Sequence, residues 1–365
     1  MGSFLYAKPF LMALAIAQYR WDQNAMRGVI KGVAALGILI VGTGVLNLAA
    51  PTLWSSVFQR SGEVDMRYGL PSLVGPFVHQ TYYGSIAMLV FLAVVCYRLT
   101  VKKSLLSLLL MVGTGASVIF SFRRRILLGT FIATLFGNAF RNKTRAIVGG
   151  GFAILCILVA AVASAAPGTG TGVLSTTVDT VYEEYVVNGD KAARTRLTTD
   201  SIGIGSDNFP LGAGYARFGS YLARTNYSQE YIDLGYREIY GLSDREGWGS
   251  WLTDTQWPSI VGESGFIGAL LYLAGIGVMF RRFSAVGRTY GANAWLKCLA
   301  LTGVSWTIAT LFDSIASPVY TAPPTFPWIF ALAAIVHVMV QRHPAEQSPA
   351  PVGTNFHNAS TLGRA

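Results

Sequence analysis

Three arginines in a row, Arg123, Arg124 and Arg125, follow Ser121-Phe122 between two strongly apolar stretches. A guanidinium at membrane depth costs about 2.5–3.5 kcal/mol on insertion scales, so a run of three marks a functional site by default. The run also stands directly before a helix start, where free N–H groups and the helix dipole favour an anion. The chemistry suited to that arrangement is the grip of a lipid-linked phosphate or diphosphate. The plainer alternative is that the three side chains snorkel to lipid head groups.

A second set of candidates lies in residues 194–218. Arg194, Arg196 and Arg217 flank Pro210-Leu-Gly212-Ala-Gly214-Tyr215. Proline and paired glycines make a tight turn, and the neighbouring arginines could close over an anion, although most Gly-x-Gly loops are only turns. An aromatic-dense tract follows, running from Tyr215 through Trp248 and Trp251 to Trp257. Aromatic faces with a polar tip suit sugar rings, but they also populate membrane interface belts. The glycan-binding candidates are Tyr215, Trp248, Trp251, Trp257 and His79. For a lone histidine such as His79, a hydrogen-bonded interface role is the plainer reading.

The third set is Asp254-Thr-Gln-Trp257-Pro258 through Glu263-Ser-Gly265-Phe-Ile-Gly268. Pro258 suits the first turn of a helix, and Asp254 or Thr255 suits its cap. Glu263 then lies about one and a half turns in, at ~1.5 Å per residue. A carboxylate there wants a cation partner, and the arginines above are the candidates. Asp254 first and Glu263 second are the candidate proton acceptors; a structural Glu–Arg pair is the alternative. No DxD-like metal pair stands out, so no metal or cofactor is expected. Cys96, Cys156 and Cys298 show no ligand spacing.

The elements that must position these groups follow from composition. The chain has 365 residues, 52% hydrophobic and 13% charged, with mean hydropathy +0.45. Soluble domains carry about 25% charged residues, so a cytosolic enzyme, a secreted disulfide scaffold and a disordered regulator are all excluded. Windows able to span a bilayer fall at 32–50, 81–97, 104–120, 126–140, 146–166, 258–280, 294–312 and 322–340. Residues 4–19 read as a weak or residual first span interrupted by Lys8 and Pro9. The expected fold is all-α: a polytopic transmembrane bundle of eight or nine spans. Residues 1–166 form its first helices, 167–257 one large loop, 258–340 its last helices, and 341–365 a disordered cytoplasmic tail.

Lysine and arginine in the short loops place one face in the cytoplasm. The large loop, with twelve acids against seven bases, then lies outside. The chain's net charge of +10 is therefore an orientation signal, and nucleic acid is excluded as a partner.

Taken in order, these motifs resemble the O-antigen ligase/polymerase superfamily of bacterial inner-membrane proteins. The resemblance covers about residues 30–340. Ser121–Leu128 matches its span-start motif, Arg196 through Phe218 loosely matches its Arg and Pro-Leu-x-Gly turn, and Glu263-Ser-Gly265-Phe-Ile-Gly268 matches its Glu-x-Gly-x-x-Gly. The resemblance implies a GT-C-like bundle in the inner membrane. Arg124, with Arg123 and Arg125 beside it, and Arg196 would hold the donor's diphosphate. The ligase branch has His eleven residues before the first Gly of that motif, where this chain has Asp254. That departure points to a polymerase. Members also usually carry further N-terminal helices, and residues 1–19 resemble the end of one.

The expected function is thus transfer of polyprenyl-diphosphate-linked oligosaccharide onto a growing glycan at the outer face. Its partners would be that donor, a glycan or lipid-linked acceptor, membrane lipids, and a chain-length regulator or export protein. Rival readings are a ligase acting on a lipid A-core-type acceptor, a transporter of anionic lipid or glycan, and a non-catalytic assembly subunit. A transporter predicts charged or broken helices in more than one span.

Overall fold

A computed structural model describes residues 2–58, 64–67, 69–136, 193–248, 251–290 and 293–342. The span expected at 146–166, the end of that at 126–140, and the tail beyond residue 342 lie outside the described residues. The fold is mostly helical. In chain order the helices are α1 (Gly2–Ala17), α2 (Gln23–Ala49) and α3 (Pro51–Phe58), then α4 (Gln80–Thr100), α5 (Leu105–Phe120) and α6 (Arg124–Phe136). They continue with α7 (Ala193–Asp207), α8 (Tyr221–Asn226), α9 (Gln229–Asp233), α10 (Gln256–Thr289), α11 (Ala294–Asp313) and α12 (Phe326–Arg342). A two-residue hairpin, β1 (Met66–Arg67) with β2 (Leu70–Pro71), precedes α4.

Among the described residues, four helical stretches are long and apolar enough to cross a membrane: Asn24–Ala49, Gln80–Thr100, Gln256–Thr289 and Ala294–Ala316. Three shorter apolar helices accompany them: Tyr6–Ala17, Leu105–Phe120 and Phe326–Arg342. The apolar stretches of α4 and α11 are 72% buried within the protein, against 17% for α2 and α10. The bundle is therefore built around α4 and α11, which pack on each other and both touch α6; α5 and α2 close one side and α10 and α12 the other. Helix α1 packs along α12, with Lys8 resting on the Phe326 ring at 5.0 Å, so the charge and proline that weaken its sequence signal do not prevent the helix.

Local chemistry fixes the ends. The Asp22 carboxylate caps α2 by accepting from Ala25 N–H, Ser104 and Ser107 form a reciprocal capping box on α5, and Asn293 accepts two N–H groups at the start of α11. Helix α2 begins nine residues before its apolar window because Arg27 and Lys31 are exposed on it, and a solvated charge does not end a helix. Inside the bundle, Tyr83 donates to Ile40 O and reaches Ser117 Oγ at 2.9 Å, and Trp306 Nε1 donates to Leu89 O at 2.8 Å. These bonds satisfy polar groups that would otherwise be stranded in the core.

Two features depart from the sequence reading. First, α10 is two helices joined at a break: Gly265 has φ +68° and ψ −176°. Its first part bridges the end of α11, through Trp257 Nε1 to Ser314 Oγ at 3.0 Å, and the start of α1, through Ser259 and Glu263 to Tyr6. Second, residues 193–248 and 251–255 form a subdomain with its own core of Leu197, Phe218, Tyr231, Tyr236, Leu242 and Leu252. Tyr231 and Tyr236 stack at 5.5 Å with no exposed surface, so part of the aromatic tract is core.

The subdomain is fastened to the break. Ala213 N–H donates to Gly262 O at 2.9 Å and Gly214 N–H to Glu263 O at 3.1 Å, satisfying carbonyls that the interrupted helix leaves without partners. Gly212, at φ +72°, sits so close that a Cβ there would stand 2.5 Å from Gly265 N. The Pro210–Gly214 turn is thus a helix cap, and its Ala213 and Gly214 N–H groups are spent on protein carbonyls rather than on an anion.

Candidate functional site

The reversal between α5 and α6 is made by Phe122, which takes a left-handed φ of +50°. It is pinned by Ser72 Oγ donating to Ser121 O at 3.0 Å and Leu73 N–H donating to Phe120 O at 3.0 Å. These contacts bring the hairpin, and with it Asp65 and Arg67, against the arginine run. Arg123 Nη2 lies 3.8 Å from Asp65 Oδ2. That carboxylate is already held by Gln80 Nε2 at 2.6 Å and Arg67 Nε at 3.3 Å.

Arg123 Nε is buried without a hydrogen bond. Burial lowers the Arg123 pKa to about 10, with Arg67, Arg125 and Arg194 pushing the same way and Asp65 opposing. Arg67, Arg125 and Arg194, drawn from the hairpin, α6 and α7, thus all act electrostatically on Arg123. Like charges so placed disfavour one another, and because Arg67, Arg125 and Arg194 each have a carboxylate partner, an anion would chiefly relieve Arg123.

Arg125 is held differently. Its Nε donates to Asp313 Oδ1 at 2.8 Å, and the other Asp313 oxygen accepts from Ser85 Oγ at 2.5 Å. Asp313 has no exposed surface and is the last residue of α11, where the helix dipole disfavours an acid. The arginine and the serine offset that cost. Arg194, near the start of α7, pairs with Asp254 at 3.0 Å, both side chains being about one-third exposed.

His79 completes the group. Its Nδ1 accepts from Thr81 N–H at 3.2 Å, capping α4. The ring is open on one side yet walled by protein on the other, and desolvation lowers its pKa to about 4, with Arg123 and Arg125 adding to the shift and Asp254 and Asp65 opposing. It is neutral near pH 7, and with Nδ1 accepting, its Nε2–H is a donor.

The structure therefore brings together Arg123, Arg125, Arg194, Asp254 and His79 from the sequence candidates. It adds Arg67, Asp65, Asp313 and Ser85. The remaining candidates lie elsewhere or are engaged otherwise. Arg124, the first residue of α6, is exposed, and no carboxylate pairs with it among the described residues. Arg196 is bound to Asp200 at 3.3 Å and Arg217 to Glu230 at 2.8 Å. Trp257 is half-buried against the Tyr320 cluster. Tyr215 is half-exposed with its ring 5.3 Å from that of Tyr6. Trp248 and Trp251 gather with Tyr240 on the subdomain.

Glu263 takes no arginine partner among the described residues, contrary to the expectation from its position. It is 1% exposed and accepts from Tyr6 OH at 3.1 Å, from Phe218 N–H at 3.3 Å, and from Ser220 and the Ala216 N–H. The Ala216–Ser220 segment wraps the carboxylate and supplies neutral donors, which compensates the charge without a cation. Its partners join α1, α10 and the subdomain, an arrangement suited to fastening.

Asp313 was visible in the sequence only as an acid at the edge of an apolar window, and Asp65 and Arg67 carry no pattern at all. No protein-family model matches the chain, and no curated protein matches it.

Proposed function

We propose that this chain is a membrane glycosyltransferase of polymerase type, using the Arg123–Arg125–Arg194 cluster to hold the diphosphate of a polyprenyl-linked oligosaccharide. In this reading the chain crosses the bacterial inner membrane eight or nine times in a GT-C-like bundle, with the subdomain on the outer side. The observation that carries it is the gathering of Arg67, Arg125 and Arg194 around Arg123, whose buried Nε has no hydrogen bond.

An acceptor sugar hydroxyl attacks the donor's anomeric carbon, the bond from that carbon to the diphosphate oxygen breaks, and its electron pair leaves with the lipid diphosphate. Fixed guanidiniums stabilise that developing charge without having to reorganise. The hydroxyl proton passes to a carboxylate, for which Asp254 is the better placed of the two candidates. It is partly exposed and close enough to His79 to influence it, whereas Glu263 is enclosed by donors. A diphosphate competing for Arg194 would also loosen Asp254 from its pair.

A transporter reading draws on the break in α10. The Gly262 and Glu263 carbonyls at that break accept from Ala213 and Gly214, so the break is satisfied without an ion. A ligase acting on a lipid A-core-type acceptor would use the same cluster.

The test uses membranes of a host that makes a single lipid-linked repeat unit, with parent and Arg123→Ala compared by gel. A ladder spaced by one repeat in the parent, lost in the variant, supports the reading. Transfer to a lipid A-type acceptor without a ladder makes the protein a ligase. Absence of any transfer by full-length parent overturns the enzyme reading in favour of a transporter or an assembly subunit.

A further inference from the structure

The subdomain carries a groove of about 500 Å³, within the size range of ligand sites, lined by Arg224, Thr225, Tyr227, Ser243, Asp244 and Arg245. It lies apart from the arginine cluster, and none of its lining residues is used there. Its polar lining holds two guanidiniums, a carboxylate and three hydroxyls, and the Thr225, Tyr227 and Ser243 hydroxyls donate to the Tyr221, Leu242 and Arg237 carbonyls. The guanidiniums and the carboxylate are the groups able to form paired hydrogen bonds to vicinal hydroxyls.

An aromatic shelf adjoins it. Tyr240 is 59% and Trp251 40% exposed, their rings meeting edge-on at 5.2 Å, and Trp248 stands 6.5 Å from Tyr240. The shelf is built by backbone pairing: Gly241 N–H donates to Trp248 O at 2.9 Å and Trp251 N–H to Gly241 O at 2.6 Å. Gly241, at φ +86°, leaves the space that the Trp251 ring occupies. Groove and shelf share a wall, since Arg245 lines the groove while lying 5.0 Å over the Trp248 ring.

Charge narrows the ligand. Asp244 is paired with Arg237 and Arg245 with Glu238. Arg224 is exposed, and no carboxylate pairs with it among the described residues. The groove thus offers one uncommitted cation beside a surface on which sugar rings stack. Exposed Asp244, Arg245 and Glu246 around the shelf disfavour its burial in lipid.

We infer that this groove and shelf form a saccharide subsite for an oligosaccharide bearing a carboxylate, with Tyr240 and Trp251 stacking on its rings and Arg224 meeting its acid. The inference deepens the proposed glycan chemistry but does not need turnover. Its test therefore uses binding, and can fail while the transfer ladder succeeds, or the reverse.

Detergent-purified full chain is applied to a glycan array containing neutral and uronate-bearing oligosaccharides. The parent is expected to bind uronate-bearing members. Arg224→Ala, an exposed and unpaired position, should weaken them roughly tenfold, as expected for a lost charge-assisted hydrogen bond. Tyr240→Ala should weaken binding to a similar extent, and Arg123→Ala should leave it unchanged. Binding to no saccharide overturns the inference, as does binding unaffected by both groove variants or lost only in Arg123→Ala. Binding restricted to neutral members overturns the assignment of Arg224.

Discussion

Arg125 Nε and Asp313 Oδ1 stand 2.8 Å apart, joining the first turn of α6 to the last residue of α11 through a carboxylate with no exposed surface. Ser85 on α4 completes the junction, so three helices meet at one acid. The pair fixes one guanidinium of the cluster by burying its counter-ion, whereas Arg123 keeps a buried Nε without a hydrogen bond.

Asp313→Ala should destabilise the protein by about 3–5 kcal/mol, because it leaves the half-buried Arg125 without its counter-ion inside the bundle. Asp313→Asn keeps the shape and the bond from Ser85 and should cost less. Thermal unfolding in detergent measures both; equal and small shifts would show that the pair does not hold the junction.

Arg123→Ala should weaken binding of inorganic pyrophosphate roughly tenfold to a hundredfold, the range for loss of a hydrogen bond to a charged group. Arg124→Ala should change it by less than about threefold. Titration calorimetry at two salt concentrations separates them, since the Arg123 effect is less screened by salt than that of an exposed cation. The opposite ranking would move the site to Arg124.

His79 gives a pH dependence with a definite sign. Its folded pKa of about 4 lies below the ordinary 6.5. As pH falls from about 6.5 toward 4, the unfolded chain takes up a proton that the folded one refuses, and stability declines. Above that window the contribution is fully present. His79→Gln should flatten this part of the Tm profile between pH 7 and 4.5, and pyrophosphate should shift the transition upward by neutralising the nearby arginines.

Gly265→Ala places a side chain at φ +68° where it would overlap Pro210 O. Backbone strain alone costs about 1–3 kcal/mol, and the clash lifts the 208–214 turn from the break. Faster proteolysis within that turn, at a temperature where the parent resists, is the expected readout.

Glu263→Gln tests fastening against proton transfer. The amide would turn an NH₂ toward at least one of the donors now surrounding the carboxylate, at a cost of about 1–3 kcal/mol. A lowered Tm with transfer surviving in proportion to folded protein is expected. Full stability with abolished transfer would make Glu263 catalytic.

The apolar pattern made much of the bundle legible. Helices α4, α5 and α11 match their windows to within three residues, since charged or capping residues bound each one. The break at Gly265 was hidden because the hydropathy of α10 continues across it, and a single glycine rarely interrupts a helix by itself. It does so here because a turn fifty residues earlier in the chain supplies N–H groups for the freed carbonyls. The site was legible in location but not in detail. Residues 121–125 marked the place, yet which arginine is gripped depends on Asp65 and Asp313, the second 188 positions away in sequence. The subdomain core was ambiguous because Tyr231 and Tyr236 carry the same residue type as the exposed Tyr221 and Tyr240.

The seating of the 208–214 turn on the break has a consequence for how this stretch can diversify. Its hold on α10 runs through the main-chain groups of Ala213 and Gly214, while the Phe209 and Leu211 side chains are two-thirds exposed. Replacing those side chains leaves the fastening untouched, but adding or deleting one residue slides the N–H groups out of step with the carbonyls they serve. Variation between Asn208 and Tyr215 should therefore be confined to exchanges at fixed length. A library built there would separate into tolerated substitutions at Phe209 and Leu211 and excluded insertions, deletions and replacements of Gly212.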